Sequence, residues 1–215
     1  MKNTSPTSSA VARLCLAAAC LALLVQSACA SVGPVVKVGL VAPFEGRDRA
    51  IGYDAIYSAR LAVREINAAG GINGTRVALV ALDDSGDRTL AGQAAATLGI
   101  DPGVVAVVGH YLPETTAAAA PVYDRDGLAL LVMGEPPFAA SDPAARPAAF
   151  HRAYEAVSPF DEAPGPYAGP TYDAFNLLWS ALAQAERTGG ISRAAVREAL
   201  SGIEYEGLSQ DGESP

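Results

Sequence analysis

Four short apolar runs, separated by segments of helical length, constrain this chain more than anything else in it. They are Val35–Ala42, Arg76–Leu82, Val104–Gly109 and Leu128–Met133. Each is rich in Val, Leu or Ala and lacks clean alternation, the pattern of strands covered on both faces. Strand–helix alternation implies parallel strands joined by right-handed crossovers, and so predicts a three-layer α/β/α parallel sheet. Ligands in such sheets sit beyond the carboxyl ends of the strands. Four loops are nominated on that ground: Pro43–Ala50, Asp83–Asp87, Gly109–Thr116 and Gly134–Pro137.

The intervening segments carry helix punctuation. A helix after the first loop runs to about Ala69, with Ile56, Ala59, Val63 and Ile66 on one face and Arg60, Arg64 and Asn67 off it. Gly70-Gly71 stops it and Asn73-Gly74 turns the chain into the second strand. Asp87 is placed to cap the next helix, and Glu114, Thr115 and Thr116 open a third, whose first-turn amides suit a carboxylate. Pro136–Pro147 holds four prolines and reads as a seam rather than a helix or central strand. Beyond it come a helix over Ala148–Val157, a Pro/Gly loop over Asp161–Pro170 and a helix over Tyr172–Arg187 with the core stripe Phe175, Leu178, Trp179 and Leu182. Ser192 then caps a last helix through Leu200, and a polar tail expected to be mobile covers 209–215.

Half of the residues are hydrophobic, enough for a buried core, and the net charge of −8 disfavours nucleic acid and anionic membrane surfaces as partners. All three cysteines, Cys15, Cys20 and Cys29, fall in the first thirty residues, so the body has no disulfide framework and no thiolate metal site. Two histidines are too few for most His-based centres, and Asp83–Asp87 lacks the spaced ligands and terminal Glu of a calcium loop. No metal and no cofactor are expected. Residues 1–30 read as an export signal: Lys2 and Arg13 precede the apolar Leu14–Val25, and Ala28-Cys29-Ala30 fits a small-residue cleavage site. Cleavage after Ala30, lipidation of Cys29 or an uncleaved anchor helix all place the body outside the cytoplasm.

Candidate ligand contacts follow from the strand-tip loops. Glu45, Arg47 and Arg49 form either a solvated loop or a partner for an anionic group. His110 and Tyr111 end the third strand, where ligand contact competes with a structural, hydrogen-bonded role. For Glu114, Thr115 and Thr116 the choice is between carboxylate recognition and helix capping, and Glu135 ends the fourth strand. No Gly-x-Ser-x-Gly elbow, phosphate loop or His-x-x-x-His pair is present, so an enzyme is not expected. A hydrolase-like reading would need Asp83, His110 and Thr116 to converge.

Several of these segments share a pattern: Val38-Gly39-Leu40-Val41-Ala42-Pro43 with Gly46; Ile66-Asn67-Ala68-Ala69-Gly70-Gly71-Ile72-Asn73-Gly74; Asp83-Asp84; and Val108-Gly109-His110. Pro164-Gly165-Pro166-Tyr167-Ala168 with Tyr172-Asp173-Ala174, and Val196–Leu200 leading to Tyr205-Glu206-Gly207, extend it. Together they resemble the solute-binding proteins of branched-chain amino-acid ABC transporters, of the type I periplasmic binding fold. The resemblance implies an amino-acid or amide-like solute, a membrane permease as partner, no nucleic acid, and a periplasmic or otherwise extracytoplasmic place.

Departures from the pattern shape the expectation further. Such proteins have two lobes that close on the ligand, but Glu135 is followed within a dozen residues by sequence resembling the return to lobe one, and no final strand follows Leu208. The expected organisation is therefore a signal at 1–30, lobe-one halves at 31–135 and 148–208, a seam at 136–147 in place of lobe two, and the tail. In the ligand turn, where the resemblance implies hydroxyls and amides, Pro113 has no N–H to donate and Glu114 repels a carboxylate; Ile51 stands where some members place an aromatic. These departures argue against a branched-chain amino acid as ligand. The expectation is a one-lobed binder of weak affinity. The alternative is a non-binding module that docks on the permease, with a dimer possible through apolar surface exposed at the seam.

Overall fold

The computed structural model describes residues 33–159 and 162–203; the expected signal segment, the expected tail, Asp161 and Tyr205–Gly207 lie outside the described residues. Four strands, β1 (Val35–Ala42), β2 (Arg76–Asp83), β3 (Val104–Val108) and β4 (Ala129–Leu131), pair in parallel in the order β2-β1-β3-β4. Among the described residues six α-helices follow or connect them: α1 (Arg49–Ala68), α2 (Arg88–Ile100), α3 (Pro113–Arg125), α4 (Ala148–Glu155), α5 (Ala168–Thr188) and α6 (Arg193–Ser201). The three-layer expectation holds. One face of the sheet buries Val36, Val38 and Leu40 against Ala55, Ala59, Phe175, Leu178 and Val196 of α1, α5 and α6. The other buries Val41 and Val107 against Ala91, Leu98, Ala119 and Tyr123 of α2 and α3.

Two strand expectations need correction. β4 is three residues long rather than the whole of Leu128–Met133. β2 is not covered on both faces: only Val77 is fully buried, because β2 is an edge strand and the helices overlap it incompletely. Periodicity reports the apolar content of a strand, not its place in the sheet.

α1 buries a broader face than its stripe predicts. Tyr57, Ser58, Leu61 and Ala62 are buried beside Ala59, whereas Ile56, Val63 and Ile66 are half-covered. The reason is that α4 and α5 pack on its flank: Tyr57 and Leu61 meet Tyr154 and Ala168, and the Ser58 hydroxyl donates to the Ala168 carbonyl at 2.7 Å. α5 also starts at Ala168, inside the expected Pro/Gly loop. Its start is held from α1, where the Asp54 carboxylate accepts the N–H groups of Gly165 and Tyr167, both at 3.0 Å. Burial raises the Asp54 pKa while these two N–H donors oppose the rise.

The seam is tied down. Asp142 caps a 3₁₀ turn at Pro143–Ala145 by accepting from the Ala144 N–H, and Ser141 N–H donates to the Pro166 carbonyl. Arg146 makes a two-pronged pair with Asp173 of α5, at 3.0 and 2.5 Å. Phe138 is buried in the core, so the apolar exposure expected here reduces to prolines and alanines. At the opposite end of the sheet Arg193 of α6 donates to the carbonyls of Gly99, Asp101, Val104 and Asp126 at 2.7 to 3.0 Å. The helices after the seam thus pack on the sheet formed before it, and no second sheet occurs among the described residues.

Candidate functional site

The strand order reverses between β1 and β3, since the chain leaves β1 toward β2 on one side and reaches β3 on the other. A crevice at the carboxyl tips of those two strands is the geometric consequence. The tips approach closely: Gly109 sits at φ +136°, and a Cβ there would collide with the Val41 carbonyl, so glycine is required.

The acidic pair Asp83-Asp84 at the end of β2 builds the frame of this crevice. Asp83 takes the N–H groups of Phe44, at 2.7 Å, and of Glu45, at 3.4 Å, which fixes the β1 loop. It also takes the Ser85 N–H at 2.8 Å and hydroxyl at 2.6 Å. Burial pushes its pKa up, but these hydrogen bonds outweigh that and leave the carboxyl below the usual range. Asp84 is wholly buried; it accepts from the Gly86 N–H at 3.0 Å and faces Nδ1 of the equally buried His110 at 2.6 Å. Nε2 of His110 meets the Tyr123 hydroxyl at 3.1 Å. Burial and then the Asp84 charge push the Tyr123 hydroxyl pKa up. Both ring nitrogens of His110 thus have a partner within hydrogen-bond reach inside the core.

Three of the expected contact residues turn into the interior. His110 is 0 % exposed within the Asp84–His110–Tyr123 chain. Tyr111 is buried, with its hydroxyl 2.8 Å from that of Thr171 on α5, and burial raises its pKa. Thr115 is buried and donates to the Leu112 carbonyl at 3.0 Å. The remaining six lie around the strand tips, Glu45, Arg47 and Glu135 in loops and Arg49, Glu114 and Thr116 in the first turns of α1 and α3. Glu45, Arg47, Arg49, Glu114 and Glu135 are exposed; Thr116 is half-buried, its hydroxyl 3.5 Å from the His110 carbonyl. Arg47 lies 3.5 Å from the Asp48 carboxylate. α3 starts with Pro113 and has no side-chain cap, so its first-turn amides open toward the same edge.

The hydrolase-like convergence does not form. The His110 ring is held by Asp84, not Asp83, and Thr116 reaches the His110 backbone rather than its imidazole. Among the described residues no group of three or more His, Cys, Asp or Glu side chains is placed to hold a metal, and no helix is long and apolar enough to cross a membrane. Sequence reasoning missed Tyr123, Thr171 and Asp54 as supports. Only the adjacency of Asp83 and Asp84 signalled that this tip was built with care.

Residues 35–136 match the family described as periplasmic binding protein. The chain is similar to the amino acid binding protein of Pseudomonas aeruginosa, at 35% identity over 99 residues, or 46% of this chain and 26% of that protein. Similarity to the Leu/Ile/Val-binding protein of Escherichia coli K12 is 30% over 116 residues, covering 54% of this chain and 31% of that protein. The chain thus spans about a quarter to a third of the length of the curated relatives it matches. Among solved structures, the branched-chain amino acid transporter substrate binding protein LivJ of Streptococcus pneumoniae in complex with isoleucine superposes with a TM-score of 0.65 at 17% identity, over 81% of this chain and 90% of that one. A periplasmic binding protein type 1 of Bordetella pertussis gives 0.64 at 14%, with coverages of 81% and 90%. At these identities the structural likeness is one of fold.

Proposed function

From the premise that residues 35–136 belong to the periplasmic binding protein family, we propose that this chain is one lobe of an extracytoplasmic solute-binding component of an ABC importer. Its solute is an amino acid or a related amide, held at the β1/β3 strand tips, and its macromolecular partner is the importer's membrane permease. In this proposal residues 1–30 direct export, with cleavage after Ala30 or lipidation at Cys29, and 136–147 stand where a second lobe would be. The observation that supports it most is the crevice itself. Two strand tips are pinned by Asp83 and by the buried Asp84–His110–Tyr123 chain, and carry Glu45, Arg47, Arg49, Glu114, Thr116 and Glu135 outward.

Those outward groups suit a zwitterion better than a plain anion. Arg47 and Arg49 offer charge to a carboxylate, while Glu45 and Glu114 oppose it and favour an ammonium. Clefts bury most of a small ligand's surface, and one lobe leaves half of it wet, so affinity is low. Isothermal titration of the full chain with a panel of amino acids and short amides tests this: saturable heat in the millimolar range is expected. A micromolar dissociation constant overturns the one-lobe account.

A second reading, a permease-docking module that holds no solute, is favoured by one observation. His110, Tyr111 and Thr115 are spent on internal hydrogen bonds. Absence of saturable heat across the panel, together with capture of the permease, would select it.

A further inference from the structure

We propose that the open edge of β2 is a self-complementary contact through which two copies of this chain pair antiparallel. The hydrogen-bond pattern defines the edge. At its two ends Arg76 N–H donates to the Pro34 carbonyl and Asp84 N–H to the Ala42 carbonyl. Even-numbered residues therefore face β1, and odd-numbered ones turn their N–H and C=O groups outward. Val77 is already served, because the Asn67 side chain accepts its N–H at 2.9 Å and donates to its carbonyl at 2.8 Å. Leu79 and Ala81 have no such cover: their outward groups find no partner among the described residues.

The edge also lacks the usual protections. Val77–Leu82 contains no charge and no proline. Antiparallel pairing about a two-fold axis at Val80 sets Leu79 of each copy opposite Ala81 of the other, and all four outward groups of each copy gain partners. The side chains fit the same register. Val77 and Leu79 lie on the α1 face, and Ala81 opens on that face into a hollow lined by Phe44, Tyr53, Ile56, Tyr57 and Arg60. Tyr53 there is 41 % exposed. A leucine arriving opposite Ala81 projects onto the α1 face, into this hollow, so the large residue meets the small one. The contact closes on itself, and dimers rather than fibres result.

Hydrogen exchange on the full chain across a concentration series, with sedimentation velocity on the same samples, tests the proposal. A dimer in the micromolar range is expected, with the Leu79 and Ala81 amides gaining protection as it forms. Ala81→Lys places a charge in the hollow, and Ala81→Pro removes an outward N–H and fixes the backbone at that position. Each is expected to weaken the dimer at least ~10-fold with an unchanged circular dichroism spectrum. If either variant fails to fold, the concentration dependence of the native chain decides alone. A chain that stays monomeric, that forms open-ended polymers, or that dimerises without protecting Leu79 and Ala81 overturns the proposal.

Discussion

At the residue scale, the buried Asp84–His110–Tyr123 chain is the most consequential arrangement in the molecule. His110→Ala leaves the buried Asp84 without its hydrogen-bond partner and opens a cavity beside it, so it is expected to lower stability by about 3 kcal/mol. Tyr123→Phe, which removes one neutral hydrogen bond, is expected to cost about 1 kcal/mol. Urea unfolding of the two variants checks the ratio, and equal small losses would mean that the chain of groups carries little. His110 was visible in the sequence as a strand-tip residue, but its role was not. Its partners lie 26 and 13 residues away, just beyond β2 and on α3, and nothing in loop composition says that a side chain turns inward.

The carboxylates also set a pH dependence. Asp83 sits below its ordinary range in the folded chain, so its contribution is present above the unfolded carboxylate value of about 3.9 and is lost as pH falls toward the folded value. Asp54 and Asp173 are raised by burial, so theirs is complete below about 3.9 and lost as pH rises through their folded values. Asp83→Asn is expected to flatten the acid limb of stability against pH, and Asp54→Asn the limb toward neutrality. Urea midpoints measured across the acid range read both slopes, and opposite assignments would contradict them.

At the element scale, the helices added after the seam are held by a few long-range clamps. Arg193 ties α6 to four carbonyls that surround the amino-terminal ends of β3 and α6 and the carboxyl ends of α2 and α3. Its planar fork makes these bonds at once, and an ammonium would not reproduce them. Arg193→Lys is therefore expected to destabilise the chain by about 2 kcal/mol and to raise amide exchange in α6 before the sheet. Uniform exchange across the molecule would show that α6 is not held separately. Element existence was legible because periodicity and caps are local: Asp87 caps α2 and Ser192 caps α6, as the sequence suggested. Element edges were less so. The start of α5 depends on Asp54, 111 residues before Gly165, and the exposure of β2 depends on a strand order that no single segment encodes.

At the scale of the whole molecule, the four strands before the seam make one sheet with one crevice, and the helices after the seam pack on it. Fold class and the four strand-tip loops were legible in the sequence because they follow from the spacing of apolar runs along the chain. The division of the nine expected contact residues into six outward and three inward was not legible, because it rests on side-chain partners drawn from α3 and α5. The central claim is that an amino-acid-like solute meets this single lobe at the β1 and β3 tips, weakly. Backbone amide NMR of the full chain, titrated with amino acids and short amides, tests it most directly. The account predicts saturable shifts in the millimolar range, concentrated at Glu45–Arg49 and Glu114–Thr116. Micromolar saturation, or shifts centred elsewhere, would contradict it.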